Sequence, residues 1–277
     1  MAPAPAPSIL SDLYLYPVKS LGGLRVPEAE LTTRGLRHDR RWLVVDQRGH
    51  FLTQRVLPQM ALLHLEYAHN GFIIRHIQRP ELRPLLVPFM AEHKGTQFVT
   101  IWDDMVFAFR GLPEHDEWLT EALGQPVRLV HMPDAALREA DGGHAPGLVS
   151  FADAYPYLLI GQASLDDLNQ RLGADAVPMN RFRPNLVVSG AAPYAEDSWL
   201  HFQLGEADFH GIRPCARCVL TTTDQQTAQR GPEPLRTLAR YRTAGNKVMF
   251  GMNVVGPAGG RLRLGDALTV HSYHPLT

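Results

Sequence analysis

The feature of this chain that most constrains its fold is a succession of short apolar, β-forming runs separated by turn residues. Runs of this length suit strands better than helices. Two of the breaks, Asn70-Gly71 and Asp103-Asp104, have the composition of hairpin turns. The first half is therefore predicted to form an antiparallel barrel or curled sheet, with its clearest strands at residues 43–45, 71–74, 98–102 and 106–109.

The second half has the same character with a few helices. Residues 164–173 predict a helix, because Ser164 suits an N-cap, apolar residues recur at 165, 168 and 172, and Gly173 suits a stop. Helices are also predicted at 113–123 and 234–241, and strands at 186–188, 218–223, 248–250 and 268–270. The fold class expected from these patterns is mainly β with some α.

An aperiodic stretch rich in Ala, Asp, Gly, His and Pro, residues 135–147, reads as a surface linker or a loop that caps a site. It separates two predicted domains, 8–132 and 148–277. The chain has 277 residues, of which 45% are hydrophobic and 20% charged, so it has ample apolar material for a sizeable core.

The N-terminal Met-Ala-Pro-Ala-Pro-Ala-Pro segment has neither the basic start nor the apolar stretch of a signal peptide. No run approaches the roughly eighteen apolar residues of a membrane span. We therefore expect a short disordered lead on a cytoplasmic protein with no membrane partner. The formal net charge of −1 gives no general attraction for nucleic acid, so any anion site must be local.

The rarest chemistry in the chain is its only cysteine pair, Cys215-Ala-Arg-Cys218. Such a pair can be half of a zinc site, but zinc needs two more ligands nearby, and the sequence has no second cysteine pair or suitably spaced histidine pair. It can be a redox dithiol, although such pairs usually open a helix, whereas β-formers follow Cys218. A third use is a single thiolate at the start of a strand, favoured by the cations Arg213 and Arg217. A metal held by one thiolate must bring its own chelator, as a pterin dithiolene does.

Five ordered segments resemble one family. They are residues 16–20 (YPVKS), 36–42 (LRHDRRW), 180–185 (NRFRPN), 194–199 (YAEDSW) and 213–224 (RPCARCVLTTTD). Together they resemble the MOSC domain with its N-terminal β-barrel partner, in particular the mitochondrial amidoxime-reducing component and its bacterial relatives. The resemblance runs nearly from end to end.

This resemblance implies an N-terminal MOSC β-barrel domain packed on a C-terminal MOSC β-barrel domain, with molybdenum cofactor (Mo-molybdopterin) between them. Cys218 would be the metal ligand and the catalytic residue. The implied cofactor-binding residues are Lys19, Ser20, Arg40, Tyr155, Arg183, Asn185, Arg217, Cys218 and Asn253. Fixed guanidinium groups and an ammonium suit a pterin phosphate. Lys19 and Arg40 could instead be solvated charges at the ends of strands, and Arg183 could form a buried ion pair.

Four further residues have less certain roles. The resemblance gives Cys215 no ligand role, and we expect it to pack as a small buried hydrophobe. Glu196, Asp197 and Asp224 could move protons near a metal, but capping a turn or orienting an arginine is the favoured interpretation. The mitochondrial pattern commonly has a hydroxyl residue or a tyrosine at four positions, which are occupied here by Ala154, Tyr155, Ala216 and Asn253. We expect backbone N–H groups to replace side-chain contacts with the cofactor there, and substrate preference to differ.

The resemblance further implies two-electron reduction of N-hydroxylated small molecules, such as amidoximes, hydroxylamines and N-oxides, with the oxygen released as water. Electrons would come from a separate ferredoxin, flavoprotein or cytochrome, because the sequence contains no four-cysteine ferredoxin segment. The main alternative is a carrier that hands on molybdenum cofactor, or a persulfide on Cys218, without turnover. A barrel that binds no metal is the third.

Overall fold

The computed structural model describes residues 7–90, 93–143 and 146–275. Most of the expected N-terminal lead lies outside these ranges. The first half contains strands β1 Ile9–Leu15, β2 Leu24–Arg25, β3 Glu28–Thr32, β4 Gly35–Leu36, β5 Trp42–Val45, β6 Leu63–Ala68, β7 Gly71–His76, β8 Leu85–Pro88, β9 Thr96–Ile101, β10 Asp104–Arg110 and β11 Arg128–His131. Helix α1, Pro113–Leu123, lies between β10 and β11, at the predicted bounds.

The second half contains strands β12 Tyr157–Gly161, β13 Leu186–Ser189, β14 Trp199–Leu204, β15 Ala207–Arg217, β16 Thr243–Ala244, β17 Lys247–Val255, β18 Arg261–Arg263 and β19 Leu268–Tyr273. Its α-helices are α2 Gln162–Leu172 and α3 Leu235–Leu238. Short 3₁₀ turns cover Pro58–Leu62, Ala140–Gly143, Gly173–Asp175, Met179–Arg181, Ala195–Ser198 and Val219–Thr222. The predicted class, mainly β with some α, is confirmed.

The largest sheet has nine strands, in the order β19-β14-β15-β17-β12-β13-β1-β2 with β16 beside β17. Strands β12 and β13 are parallel and joined through α2, as parallel neighbours require a crossover. The other sheets are β5-β11-β10-β9, β6-β7-β8 and β18-β3-β4.

The two halves exchange strands. β1 comes from the first half but pairs with β13, so that Leu10 faces Val188 in the large sheet. In return, β18 comes from the second half and pairs with β3. Leu10 and Leu13 are fully buried, in a core cluster that draws on both halves. The main core therefore contains residues from both sides of the predicted linker.

The two predicted hairpins form. Ala68 pairs with Gly71, so the two-residue turn is His69-Asn70, one residue earlier than the predicted Asn70-Gly71. In the second hairpin Ile101 pairs with Asp104. Its turn is therefore Trp102-Asp103, one residue earlier than predicted, and Trp102 takes a left-handed φ of 54°.

The prediction that Ser164 caps the second helix is wrong. Helix α2 begins at Gln162, and Ser164 is buried inside its first turn. The Ser164 hydroxyl donates to Glu196 Oε1 at 2.8 Å and accepts from the backbone N–H of Tyr194 at 2.7 Å. The hydroxyl thus joins α2 to the 3₁₀ turn Ala195–Ser198, which explains a serine at a helix start without a capping role.

The strand predicted at 218–223 is also wrong. β15 ends at Arg217, and Val219–Thr222 form a 3₁₀ turn. The hydroxyls of Thr221 and Thr222 donate to the carbonyls three residues earlier, of Cys218 at 3.0 Å and Val219 at 2.8 Å. These local bonds override the β preference of threonine. α3 is likewise shorter than the helix predicted at 234–241.

No helix within the described ranges is long and apolar enough to cross a membrane.

Candidate functional site

One cavity lies where the two halves meet, and all nine residues assigned by the resemblance line it. The chain's net charge is −1, yet five cationic side chains face this cavity: Lys19, Arg40, Arg55, Arg183 and Arg217. Within the described part of the chain Asp153 is the only carboxylate that lines it. This local excess of positive charge agrees with the expectation that any anion site in the chain is local.

Cys218 follows the last residue of β15 and begins the 3₁₀ turn. Its side chain is exposed, and both cysteines are free thiols. The carbonyl of Cys218 accepts hydrogen bonds from the N–H and the hydroxyl of Thr221, at 3.1 and 3.0 Å. These bonds fix the backbone that presents the thiol. Cys218 therefore lies at the end of a strand rather than at the start of one, contrary to the prediction.

Arg40 and Arg183 sandwich the ring of Tyr16. Each guanidinium carbon lies 4.3 Å from the ring centroid. Tyr16 is 1% exposed, and burial raises its pKa, so the phenol stays neutral. Stacking of this kind holds two like charges on opposite faces of one ring. The two arginines come from different halves of the chain, and the ring joins them.

Asn185 connects the two halves through its side-chain amide. Its Oδ1 accepts from Arg40 Nη1 at 2.9 Å, and its Nδ2 donates to the carbonyl of Tyr14 at 3.2 Å. Arg40 Nη1 also pairs with Asp39 Oδ2 at 2.6 Å. Because both ends of the amide are engaged, Asn185 fixes Arg40 at the cavity wall.

Lys19 is buried beside the cavity. Its Nζ donates to the carbonyl of Phe151 at 2.7 Å and to Asp153 Oδ1 at 2.5 Å. Burial lowers the pKa of Lys19 to about 8, against the opposing effect of Asp153. Desolvation would raise the pKa of Asp153, but Lys19 and Arg55 outweigh it and hold that pKa below its usual range. Both groups are therefore charged at neutral pH.

Arg55 is a cavity residue that sequence reasoning missed. Its guanidinium carbon lies 4.5 Å from the ring centroid of Trp102. Its Nη1 lies 3.7 Å from Asp153 Oδ2 and 3.9 Å from the Sγ of Cys218. Arg55 is thus the cation placed beside the thiol. It lies in a loop far from the cysteines in sequence, and no spacing rule links it to them.

The two arginines expected beside the thiol have other partners. Arg213 pairs with Asp141 Oδ1 at 2.7 Å. Arg217 Nη1 contacts the Sγ of Cys215 at 3.1 Å, and its Nη2 donates to the carbonyl of Phe182 at 2.7 Å. Cys215 is half-buried on the cavity wall, so the prediction that it packs in the core as a hydrophobe is wrong. Its position in β15 turns it toward the cavity.

Three of the predicted residues have a backbone conformation that is rare for non-glycine residues. Ser20, Arg40 and Arg183 have φ values of 66°, 48° and 58°. Left-handed backbone at such residues costs free energy and concentrates at functional sites.

Tyr155 and Asn253 complete the cavity on the second half. The hydroxyl of Tyr155 donates to Asp141 Oδ2 at 2.8 Å. Desolvation and Asp141 raise the pKa of this phenol to about 12. Asn253 lies in β17 opposite Leu158. Asn253 therefore belongs to the sheet next to β15, and Tyr155 lies in the segment just before β12.

The three acidic residues of uncertain role make structural contacts. Glu196 is fully buried and accepts from the N–H of Gly161 at 3.0 Å. Asp197 pairs with Arg242. Asp224 pairs with Arg181 at 2.9 Å and accepts from the N–H of Gln226 at 2.9 Å. None of the three lines the cavity in the described part of the chain, which supports the structural interpretation.

Four buried polar atoms on cavity side chains have no hydrogen-bond partner among the residues that the structure describes. They are Arg55 Nη2, Arg183 Nη2, Arg217 Nε and the hydroxyl oxygen of Tyr157. A buried donor without a partner is costly, and a ligand with several acceptor oxygens would satisfy these groups. The cavity therefore fits a phosphate-bearing cofactor.

Within residues 7–90, 93–143 and 146–275, no three His, Cys, Asp or Glu side chains form a group that could hold a metal ion. In these ranges Cys218 is a candidate for a single protein ligand, and it is not part of a multidentate cluster.

Two family models match the chain. Residues 8–126 match the model described as the MOSC N-terminal beta barrel domain, and residues 146–269 match the MOSC domain. The chain is 33% identical to mitochondrial amidoxime-reducing component 1 of Homo sapiens over an alignment of 277 positions, which covers 93% of this chain and 81% of that protein.

A molybdenum cofactor sulfurase of Oryza sativa subsp. japonica is 33% identical over 272 residues. The match covers 88% of this chain but only 32% of the sulfurase. Among solved structures, the YuaD protein from Bacillus subtilis aligns over 97% of this chain and 98% of its own, with a TM-score of 0.47 and 10% identity.

Proposed function

The chain belongs to the family that joins a MOSC N-terminal beta barrel domain to a MOSC domain, and from this premise we propose that it is a molybdenum-cofactor-dependent oxidoreductase. The substrates proposed are N-hydroxylated compounds, namely amidoximes, hydroxylamines and N-oxides, reduced by two electrons. The observation that carries the proposal is an exposed thiol, Cys218, at a cavity that is lined, among the described residues, by five cations and one carboxylate. A relative named for amidoxime reduction supports the choice of substrate.

Different residues of the cavity would bind different parts of the cofactor. The Cys218 thiolate would be the one protein ligand to molybdenum. Lys19, Arg40 and Arg183 would bind the phosphate, since they are fixed in position and charged at neutral pH. Asn185 holds Arg40 in place. When bound, the cofactor supplies the two-electron chemistry at the N–O bond.

The four remaining residues are proposed to contact the pterin. Tyr155, Asn253 and Arg217 line the wall beside the cysteine segment. The neutral phenol of Tyr155 donates to Asp141 and keeps its proton at neutral pH. Ser20 adds its backbone, held in the left-handed conformation next to Lys19.

Arg55 lines the cavity beside the thiol and stacks on Trp102. Trp102 is 45% exposed, and its Nε1 donates to Asp153 Oδ1 at 3.2 Å. The stacked pair would orient a flat substrate group toward Cys218 and shield it from water on one side. Because its pKa is held low, Asp153 accepts hydrogen bonds here and does not donate a proton.

The electrons are proposed to come from a separate electron-transfer protein of the ferredoxin, flavoprotein or cytochrome type. The exposed thiol and the 43% exposure of the neighbouring Val219 support this proposal, because a partner could approach Cys218 from solvent. Location in the cytoplasm remains part of the same proposal.

Turnover tests this function. Protein from a host that makes molybdenum cofactor should reduce benzamidoxime to benzamidine with reduced methyl viologen, and should not do so with NADH alone. The Cys218→Ser variant should lose the activity. Full activity of the serine variant would exclude Cys218 as the ligand, and direct turnover with NADH would show an electron path within this chain.

The second candidate function is a carrier of cofactor or sulfur. The match to molybdenum cofactor sulfurases favours it, although it covers about a third of the length of those proteins. A carrier would hold molybdenum cofactor, or show a mass increase of one sulfur atom on Cys218, without reducing benzamidoxime. Turnover with viologen distinguishes the two functions.

A further inference from the structure

A second cavity lies on the other side of the backbone that forms the wall of the first. Its volume is about 540 Å³. Two segments contribute residues to both cavities. In the first segment, Arg40 faces the proposed cofactor cavity while His38 and Arg41 line the second. In the other, Asp153 lines the first and Ser150 the second.

The second cavity has a positive lining. It contains Arg34, Arg37 and Arg41, and among the described residues Asp134 is its only acid. Asp134 is 94% exposed on its side chain and pairs with Arg41 at 2.8 Å. Arg37 pairs at 2.7 Å with Glu30, which lies outside the cavity lining. The excess positive charge of the cavity is therefore that of Arg34, in a chain with no net positive charge.

Arg34 contributes a charge that no carboxylate of the described residues neutralises directly. It is 7% exposed. Its guanidinium donates to backbone carbonyls, those of Val149 at 3.2 Å and Asp134 at 3.0 Å, and to the carbonyl of Ala136. These carbonyls fix its position without neutralising its charge.

Two buried polar atoms at this cavity lack partners. Ser150 is 1% exposed, and its hydroxyl has no hydrogen-bond partner in the described ranges. The Nε of Arg41 is buried without a partner as well. A hydroxyl and a guanidinium nitrogen are both donors that suit an oxygen acceptor.

Two histidines add neutral donors and an apolar surface. Burial lowers the pKa of His38 and of His131 to about 4, so both rings are neutral at physiological pH. A neutral imidazole keeps one N–H donor. The ring of His38 stacks on Phe89 with centroids 3.8 Å apart, and Met90 beside it is 95% exposed. The cavity thus has cationic donors and an apolar surface.

We propose that this cavity is a second binding site, which takes a small organic anion with a carboxylate or phosphate head and an apolar body. The head binds Arg41 and Ser150, and the body lies against Phe89 and Met90. The site is independent of the cofactor cavity, since the phosphate-binding residues proposed there are not among those that line it.

Calorimetric titration of the full chain with benzoate, phenyl phosphate and benzyl alcohol tests the site. Benzoate and phenyl phosphate distinguish the two head groups on one apolar body, and benzyl alcohol is the uncharged control. In the Arg183→Ala variant, which weakens anion binding in the first cavity, we expect saturable binding of at least one anion, one per chain, and none of the alcohol. No saturable binding, or equal binding of benzyl alcohol, would overturn the proposal.

Variants locate the binding. Arg41→Gln should weaken it about tenfold or more, as expected for a charged hydrogen bond, and Ser150→Ala about three- to tenfold, as for a neutral one. Arg37→Gln, on an exposed side chain, should weaken it through charge alone and serves if Arg41→Gln does not fold. Arg48→Gln, a distant exposed arginine, should have no effect. Binding that survives Arg41→Gln or Arg37→Gln but is lost in Arg183→Ala would assign the anion to the first cavity and refute the second site.

Discussion

The two terminal nitrogens of Arg183 have different surroundings. Nη1 donates to the carbonyl of Leu21 at 2.5 Å, whereas Nη2 is buried without a partner in the described part of the chain. Burial lowers the pKa of this guanidinium to about 10, which still leaves it charged at neutral pH. A fixed, buried cation with one free donor should contribute more to anion binding than an exposed arginine does.

Replacing Arg183 with alanine should therefore deplete bound pterin several-fold. A lost charge-assisted phosphate contact corresponds to roughly 1.5–3 kcal/mol of binding free energy. Pterin released from purified protein can be measured by its fluorescence after oxidation, with Arg48→Ala as the matched control on an exposed arginine. Unchanged pterin in a folded Arg183→Ala protein would refute the role of this residue.

Lys19 predicts a pH dependence for anion binding. Because its pKa is lowered to about 8, the ammonium is charged below that pH and neutral above it. The affinity that it contributes is present at neutral pH and lost as the pH rises through about 8. Sulfate is a suitable probe because its own charge does not change in this range.

Calorimetry on cofactor-free protein should show sulfate affinity falling between about pH 7 and 9.5, over which a lysine with the lowered pKa titrates. The Lys19→Met variant should bind sulfate more weakly at pH 7 and show little change above it. Both measurements belong in the Cys218→Ser background, so that the thiol makes no contribution. A pH dependence that is equally steep without Lys19 would assign the titration to another group.

Among the elements, the 3₁₀ turn Val219–Thr222 decides how the thiol is presented. Thr221 and Thr222 make the same bond, from the hydroxyl to the carbonyl three residues earlier, but only Thr221 lines the cavity and bonds to Cys218. Valine at either position has nearly the shape of threonine without the hydroxyl. The two substitutions are therefore matched.

Thr221→Val and Thr222→Val should each lose about 0.5–1.5 kcal/mol of unfolding free energy, the usual net value of one hydrogen bond. Only Thr221→Val should also lower molybdenum content, because only it loosens the backbone of Cys218. Chemical denaturation and metal analysis of both proteins check this. Equal molybdenum in the two variants would mean that the turn does not support the ligand.

Elements with strong local signals could be predicted from the sequence. Helix α1 begins at Pro113 and ends before Gly124 in the left-handed conformation, as helix start and stop signals require. The hairpin between β6 and β7 could also be predicted, although its turn is His69-Asn70 rather than Asn70-Gly71. The run 218–223 could not be predicted, because the side-chain bonds of its threonines compete with the strand preference of the same residues.

The residues that line the cavity could be predicted from the sequence only where a motif contains them. Lys19, Arg40 and Arg183 lie in segments that resemble the family, and the structure brings them to one cavity. Arg55 and Asp153 carry no such signal from chemistry or spacing. Their roles arise from contacts across about a hundred residues or more, such as Arg55 with Cys218, which only the folded chain shows.

At the scale of the whole molecule, the exchange of β1 and β18 joins the two halves into one structure. β1 lies between β13 and the edge strand β2 in the large sheet. Its Leu10 and Leu13 pack in a core shared by both halves. Cooperativity is expected when a single core spans both parts of a chain. The cavity depends on this arrangement, because its cations come from both halves.

The chain should therefore unfold in a single transition in denaturant, with circular dichroism and tryptophan fluorescence changing together. Leu13→Ala should shift the whole transition by roughly 2–5 kcal/mol, the cost of a cavity in a packed core. Asp12→Ala, on the same strand but with an ion pair at the surface, is the control. Two separate transitions, with the substitution affecting only one, would show that the halves are energetically independent.

The central claim is that one thiolate, Cys218, holds the metal of a cofactor whose phosphate is bound by cations from both halves. Metal analysis by mass spectrometry, together with pterin measurement, tests it most directly. Protein from a cofactor-competent host should carry close to one molybdenum and one pterin per chain, and Cys215→Ser should retain them. Cys218→Ser should lose molybdenum. Wild-type protein without molybdenum or pterin, or Cys218→Ser protein with a full complement of the metal, would contradict the claim.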